Sequence, residues 1–204
     1  MNRQSSSVDD DYFNALFKGN DDPWAFKQRW YERRKRALTL AALPKERYQW
    51  IFEPGCANGE LSADLANRCE RLICCDTCLP AVELARKRLA GFTHVSVMHG
   101  RLPQQWPEGQ FDLIVFSELG YYLNERDLQL WIDRALQSLT QDGQLLACHW
   151  RPQIDGCPMS AEQVHAVLQK RLGMHPLFNH QEPDFLLDLW SRDATSVAQR
   201  ENLR

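Results

Sequence analysis

The stretch EPGCANG (residues 53–59) follows a short apolar run at 50–52, and it decides the fold prediction. An apolar run that stops at Pro54 and Gly55 indicates a buried strand followed by a turn. Gly55 permits that turn, and Gly59 lets the next helix begin close to a ligand, because glycine has no Cβ. Two glycines after a strand are a weak signal alone, so the prediction depends on their surroundings.

Apolar runs and helical patterns alternate along the rest of the chain. Further strands are predicted at 72–75, 95–98, 111–116, 145–150, 175–178 and 185–190. Helices are predicted at 24–43, 61–67, 80–89, 127–139 and 160–172, with a turn at Asp142-Gly143. This alternation predicts an α/β fold: a doubly wound, Rossmann-like sheet, mostly parallel, with a C-terminal antiparallel strand pair and helices on both faces. We expect one domain at 23–191, between an N-terminal tail or docking segment (1–22) and a C-terminal tail (192–204).

Composition excludes several classes of function. The 24 Lys and Arg residues against 27 Asp and Glu give a net charge of -3, which argues against a surface built for nucleic acid. No apolar run approaches the ~20 residues of a membrane span, and the first residues lack a signal segment, so we expect a cytoplasmic protein with no membrane partner. Because a cytoplasmic protein is kept reduced, we expect the seven cysteines to be mostly buried free thiols and not a metal or redox site.

Asp76 ends the second predicted strand, about 20 residues after Gly55, where a dinucleotide fold places an acid on ribose hydroxyls. The GxGxxG fingerprint of dinucleotide enzymes would need glycine where Ala57 and Glu60 stand. Glu53 and Glu60 near the helix start also disfavour a pyrophosphate. The positive end of a helix attracts a pyrophosphate best when no other anion competes for it. The residues therefore favour a nucleoside with cationic groups, such as S-adenosylmethionine.

EPGCANG resembles motif I of the class I S-adenosylmethionine-dependent methyltransferases, usually acid-x-Gly-x-Gly-x-Gly, with Ala57 at the middle glycine. Asp76 matches the ribose-binding acid of that superfamily, and FDLIVFSE (111–118) matches its fourth-strand motif. More narrowly, the chain resembles the nodulation protein S (NodS-like) family of N-methyltransferases over about residues 22–190. The stretches that carry this likeness are DPWAFKQRWYERRKRALTLAALP (22–44), EPGCANGELSADLA (53–66), WPEG (106–109), SELGYYL (117–123), HWR (149–151) and DFLLDLW (184–190).

The resemblance implies a set of residues that hold the cofactor. Glu53 is expected to orient the motif I loop or the methionine ammonium, and Arg29 to pair with the methionine carboxylate. After the third strand the family usually has Gly-Asp, whose acid approaches the adenine amine, but here Arg101 stands in its place. Arg101 cannot accept a hydrogen bond, so adenine recognition is expected from backbone groups and Leu102. The full implied set is Arg29, Trp30, Glu53, Gly55, Cys56, Ala57, Gly59, Asp76, Thr77, Arg101, Leu102 and Ser117.

Residues after the fourth and fifth strands are expected to face the methyl acceptor. An amine acceptor must arrive without its extra proton, and Glu118 or His149 is the candidate base, while Tyr121 or Tyr122 could position the nitrogen. The family methylates an amino sugar of a chitin-like oligosaccharide. Indole faces stack on sugar rings, so three tryptophans near strand ends are candidates for that contact: Trp24, Trp106 and Trp150.

The predicted function is methyl transfer to a small-molecule acceptor, expected to be an amine nitrogen of an amino sugar or a related compound. Three alternatives stay open at this point. They are an O- or carboxyl methyltransferase on the same fold, a nicotinamide-dependent oxidoreductase, and a non-catalytic nucleoside-binding protein.

Overall fold

Seven strands form one sheet in the order β3-β2-β1-β4-β5-β7-β6, in a computed structural model that describes residues 6–203. Strands β1 to β5 pair in parallel, and β7 lies antiparallel between β5 and β6. The predicted doubly wound sheet with its C-terminal antiparallel pair is therefore confirmed. The strands are β1 (Tyr48–Pro54), β2 (Cys69–Asp76), β3 (Val95–His99), β4 (Phe111–Ser117), β5 (Leu139–Trp150), β6 (His175–Gln181) and β7 (Phe185–Ser191).

Seven helices flank the sheet, and side-chain caps fix several of their starts. Asn124 accepts a hydrogen bond from the Asp127 backbone N–H and caps α5, and Ser160 with Gln163 forms a reciprocal capping box that starts α6. The helices are α1 (Asp10–Phe17), α2 (Trp30–Ala41), α3 (Glu60–Ala66), α4 (Leu79–Arg88), α5 (Glu125–Ser138), α6 (Ala161–Arg171) and α7 (Val197–Arg200), with a 3-10 turn at Gly120–Tyr122.

Strand β4 is apolar along its length because both of its faces are covered. Ile114 and Phe116 belong to the core on one face, where Phe116 stacks on the buried Trp131 with ring centroids 3.8 Å apart. Leu113 and Val115 belong to the core on the other face. Burial of each such side chain contributes about 1.5–3 kcal/mol, so this central strand holds the carboxyl edge of the sheet in place.

Two local predictions are wrong. The helix predicted at 24–43 begins only at Trp30, because the Asp22 carboxylate instead accepts hydrogen bonds from the backbone of Phe26 (2.9 Å) and Lys27 (3.1 Å) and closes a loop. The turn predicted at Asp142-Gly143 lies inside β5, where the register against β4 shifts and absorbs the extra residues.

The segment predicted as an N-terminal tail or docking segment and the segment predicted as a C-terminal tail both contain a helix. In the N-terminal segment α1 packs against α4, and in the C-terminal segment α7 begins at a capping box made by Ser196 and Gln199. Residues 1–5 of the N-terminal segment lie outside the described residues. None of the helices in residues 6–203 is long and apolar enough to cross a membrane. All seven cysteines are free thiols, and no cluster of metal-ligand side chains occurs within the same residues.

Candidate active site

A cavity of about 480 Å³ opens at the carboxyl ends of the parallel strands, under the N-terminal segment. This is the edge at which open α/β sheets bind their ligands. We call one side the β2 half and the other the β4 half. The β2 half is lined by Gly55, Ala57, Asp76, Thr77, Arg101 and Leu102, and the β4 half by Tyr31, Glu32, Lys35, Glu118, Tyr121 and Trp150.

The motif loop of the β2 half has three residues with left-handed backbone, at φ +74° for Gly55, +48° for Ala57 and +83° for Gly59. A Cβ at Gly59 would lie 3.1 Å from the Ala85 Cα, so glycine there lets α3 pack closely on α4. Ala57 adopts its strained conformation while its backbone N–H donates to Asp76 Oδ2 at 2.9 Å. The Asp76 carboxylate thus holds the loop at Ala57, where the superfamily motif has its middle glycine.

Asp76 is also the acid of the β2 half. Its Oδ1 accepts from the Cys78 backbone N–H at 2.9 Å, and each carboxylate oxygen keeps a further lone pair for a ligand in the cavity. Burial raises the pKa of Asp76, and the hydrogen bonds from Cys78 and Ala57 oppose that rise. The geometry is that of a preformed hydrogen-bond acceptor beside a cavity.

Two acids that the sequence placed beside the ligand lie elsewhere. Glu53 is buried and does not line the cavity, and burial raises its pKa to about 8. Glu60 at the start of α3 points to Arg88 on α4, at 2.9 Å, and so does not face the motif loop. These two acids therefore repel an anion at this end of the helix less strongly than we expected from the sequence.

In the β4 half, Glu118 makes four hydrogen bonds, three to its carboxylate and one from its backbone N–H. Its Oε1 pairs with Lys35 Nζ at 2.7 Å, and its Oε2 accepts from the Tyr121 hydroxyl and from the Trp150 backbone N–H at 3.1 Å. Its own backbone N–H donates to the Cys148 carbonyl at 2.8 Å, with a left-handed φ of +53°. Such strain is stored where the surrounding structure fixes a residue, and here it aims the carboxylate at the cavity.

Lys35 and Glu32 are site residues that the sequence reasoning missed. Lys35 is 6% exposed and pairs with Glu32 at 3.1 Å as well as with Glu118. Burial lowers the pKa of Lys35, but the two carboxylates outweigh it and the net direction is upward. Burial raises the pKa of Glu32, against the effect of Lys35. The signal available in the sequence was that Glu32 and Lys35 are oppositely charged and three residues apart on one face of α2. Such a pair looks the same as the charged residues of an exposed helix face.

The Tyr31 hydroxyl is buried and has no hydrogen-bond partner among the described residues, and Tyr31 lines the cavity. Burial raises the pKa of this phenol, so it stays a neutral donor and acceptor. An unpaired buried polar atom is costly unless a ligand or water satisfies it. The hydroxyl of Tyr31 is therefore a polar atom that the described residues leave unpaired at the wall of the cavity.

The structure does not bring every predicted site residue to the cavity. Trp30 is 68% exposed on the outer face of α2, whereas its neighbours Arg29 and Tyr31 face inward. His149 is fully buried, and its Nε2 already accepts a hydrogen bond from the Gly120 backbone N–H. Burial lowers the pKa of His149 well below its ordinary value, so the prediction that His149 meets the acceptor is not supported by its position. The other predicted residues outside the cavity lining are Glu53, Cys56, Gly59 and Ser117.

Tyr122 lines the cavity together with the N-terminal segment. The backbone N–H of Val8 donates to the Tyr122 carbonyl at 2.8 Å, and Phe13 packs edge-to-face on the Tyr122 ring. Of the three tryptophans proposed for sugar stacking, Trp24 and Trp150 line the cavity. Trp106 packs in the core on Phe52 and Trp131 instead.

Comparison with known proteins matches residues 14–177 to the family described as Nodulation protein S (NodS). The chain belongs to the NodS family. It is 31% identical over 157 residues to Nodulation protein S of Rhizobium tropici, covering 74% of this chain and 66% of that protein. It is 33% identical over 106 residues to Nodulation protein S of Bradyrhizobium diazoefficiens, covering 52% of this chain and 51% of that protein. The match thus spans about half to two thirds of the length of these curated NodS relatives.

Two solved structures resemble this NodS-family chain. The N-methyltransferase NodS from Bradyrhizobium japonicum WM9, in complex with S-adenosyl-L-homocysteine, is 26% identical, with 89% of this chain and 96% of that chain covered and a TM-score of 0.79. A protein from Pseudomonas syringae, provisionally described as a methyltransferase, is 68% identical, with 80% and 99% covered and a TM-score of 0.73. The Rossmann-like fold is therefore that of S-adenosylmethionine-dependent methyltransferases.

Proposed function

We propose that this NodS-family chain transfers a methyl group from S-adenosylmethionine to a small-molecule acceptor, at the amine nitrogen of an amino sugar or a related compound. The observation that carries the proposal is the division of one cavity into two chemically different halves. The β2 half offers a half-buried carboxylate, Asp76, beside a tight glycine loop. The β4 half offers two carboxylates, the buried Glu32 and the half-buried Glu118, and aromatic walls.

The donors and acceptors of the β2 half fit the cofactor. Asp76 presents spare lone pairs to a ribose diol, and Arg29 presents a guanidinium to the methionine carboxylate. Thr77 and Leu102 line the same side. When bound, S-adenosylmethionine supplies a methyl group on a positively charged sulfur. The relative from Bradyrhizobium japonicum WM9, whose structure contains S-adenosyl-L-homocysteine, supports this assignment.

The charge of the β4 half favours an amine over a carboxylate acceptor. Glu32 and Glu118 carry two negative charges, and Lys35 between them neutralises one. An ammonium group entering this half is attracted by the remaining charge, while a carboxylate is repelled, and both effects are strong in a partly buried site. Aromatic walls from Tyr31 and Trp150 add a favourable surface for a cation or a sugar ring.

The acceptor nitrogen must lose its extra proton before it can attack. Glu118 is occupied by Lys35, Tyr121 and the Trp150 backbone, so we assign it the role of fixing Lys35 and the Tyr121 hydroxyl. Glu32 faces the cavity with a pKa that burial raises, which makes its carboxylate the better proton acceptor. The hydroxyls of Tyr31 and Tyr121 can then hold the nitrogen in line for attack.

A panel of matched acceptors tests the proposal. The purified chain is incubated with S-adenosylmethionine and either a glucosamine oligomer, its fully N-acetylated form, or glucuronic acid, and products are weighed by mass spectrometry. A gain of one methyl on the free amine alone supports the proposal. Methylation of glucuronic acid with inert amines would make the protein a carboxyl methyltransferase. Equal methylation of the free and acetylated oligomers would indicate oxygen as the acceptor atom.

A nicotinamide-dependent oxidoreductase is an alternative of a different class on this fold. The left-handed Ala57 and its bond to Asp76 leave the motif loop without the glycines of a dinucleotide fingerprint. Titration with the oxidised and reduced dinucleotides separates the two functions, and we expect no saturable binding of either.

A further inference from the structure

Residues 100–102, directly after β3, contain no carboxylate that could accept a hydrogen bond from the amino group of an adenine. Arg101 stands where an acid is usual, and its backbone N–H is already bonded to the Gln105 side-chain oxygen at 2.6 Å. The Gly100 carbonyl accepts from the Cys75 thiol, and its N–H donates to the Asp76 carbonyl. The Arg101 carbonyl accepts from the Gln105 backbone N–H at 2.8 Å, so all four backbone groups of Gly100 and Arg101 are already bonded. The expectation that backbone groups and Leu102 recognise the base is therefore weakened.

A different acid reaches this position from another part of the chain. Asp10, the first residue of α1, lines the cavity beside Arg101 and Thr77. Its Oδ1 accepts from the Thr77 hydroxyl at 2.7 Å and pairs with the Arg101 guanidinium at 2.8 Å. Both contacts use Oδ1, which leaves the lone pairs of Oδ2 for a ligand.

We infer that Asp10 recognises the 6-amino group of the cofactor's adenine, replacing the acid that the β3 loop lacks. The inference rests on the proposed function, because it takes S-adenosylmethionine as the ligand of the β2 half. Arg101 then acts on Asp10 instead of on the base, because its guanidinium pairs with the carboxylate and orients it. The acid that binds the amino group thus lies on α1 instead of on the loop after β3, and Arg101 holds it by an ion pair.

The chemistry of the base makes this assignment specific. Adenine presents a donating amino group at position 6, and hypoxanthine presents an accepting oxygen there. A carboxylate satisfies the first and repels the second, whereas an asparagine amide tolerates both. An acid that merely favours the start of α1 would show no such preference, because helix-dipole stabilisation does not depend on the base.

The experiment measures the affinities of S-adenosylhomocysteine and its 6-oxo analogue S-inosylhomocysteine by calorimetry, on the wild type, Asp10→Asn and Asp11→Asn. Asp11 is the matched control, since it lies in the same first turn of α1 but is exposed and outside the cavity lining. Thermal melts of all three proteins accompany the titrations, so that a folding defect is recognised.

The wild type and Asp11→Asn are expected to prefer S-adenosylhomocysteine by about tenfold or more, the value of one charge-assisted hydrogen bond. Asp10→Asn is expected to lose most of that preference. An unchanged preference in Asp10→Asn would overturn the inference, and so would an equal weakening of both ligands, which would make Asp10 only a support for α1. If the wild type binds neither nucleoside, the proposed function itself fails and this inference fails with it.

Discussion

His149 accepts a hydrogen bond from the backbone N–H of Gly120, with 2.9 Å between Nε2 and N. A backbone N–H can only donate, so Nε2 carries no proton, and neutral His149 must donate its Nδ1–H to His165 Nε2, at 3.0 Å. His165 then donates its Nδ1–H to Asp188 at 2.5 Å. This chain of bonds fixes the tautomers of both histidines and ties β7 to the turn after β4.

The turn at Gly120 carries Tyr121 into the cavity, so His149 is expected to act through that turn as a positioning residue. His149→Asn keeps a polar group near Nδ1 but leaves the Gly120 N–H unpaired, which should cost about 1–3 kcal/mol of unfolding free energy. His149→Gln places an oxygen near Nε2 and should keep most of the stability. Urea unfolding of both variants, together with kcat and KM for the acceptor, provides the measurement.

The two substitutions at His149 serve as controls for each other, because they remove the same imidazole. We expect a lower kcat in His149→Asn with an unchanged affinity for S-adenosylhomocysteine, and partial recovery of kcat in His149→Gln. Equal losses of kcat in both variants would contradict the assignment, because the Gly120 bond would then be irrelevant.

Lys35 pairs with the buried Glu32 and the half-buried Glu118, and Lys35→Met is expected to destabilise the protein strongly. Removing one partner from a buried ion cluster leaves uncompensated charge and typically costs about 3–5 kcal/mol. Lys45→Met is the matched control, since its partner Asp142 is 56% exposed, and its cost should stay within about 1 kcal/mol. Denaturant unfolding of both variants gives the comparison; similar losses would show that the Lys35 cluster is not buried in solution.

Glu53 makes the stability depend on pH with a definite sign. Burial raises its pKa from 4.5 to about 8, so the folded protein keeps a proton that the unfolded chain releases within this interval. The contribution of Glu53 to stability is therefore greatest below pH 4.5 and is lost as the pH rises to about 8, at up to about 1.4 kcal/mol per pH unit. Glu53→Gln has no such proton to lose.

The unfolding free energy of Glu53→Gln minus that of the wild type should thus increase between pH 4.5 and about 8 and then level off. Urea titrations of both proteins across this range measure the difference. A difference that does not change with pH would mean that Glu53 is ionised in the folded protein.

The sheet could be predicted because its signals are local. The apolar run of β4 and the glycine turn after β1 each lie within one short segment, and Asp76 follows directly from the end of β2. The start of α2 was misplaced because the Asp22 carboxylate bonds to a loop that has the composition of a helix start. Local composition does not distinguish these two uses of an aspartate.

The residues that line the cavity could be predicted only where they come from one continuous stretch of sequence. The cluster of Lys35, Glu32 and Glu118 joins α2 to the end of β4, and the charges look exposed until the sheet is assembled. The position of His149 depends on the hydrogen bond between its Nδ1 and Nε2 of His165, which lies on α6. Tertiary packing brings these hydrogen-bond and ion-pair partners together, and no spacing in the sequence indicates them.

Binding of S-adenosylhomocysteine to the wild type and to Asp76→Asn is the measurement that tests the account most directly. We expect saturable calorimetric binding to the wild type, weakened about a hundredfold by the substitution, since Asp76 is assigned two charge-assisted hydrogen bonds to a ribose. Glu83→Gln, an exposed change on the helix that follows Asp76, should bind like the wild type. An absence of binding by the wild type, or equal binding by Asp76→Asn, would contradict the account.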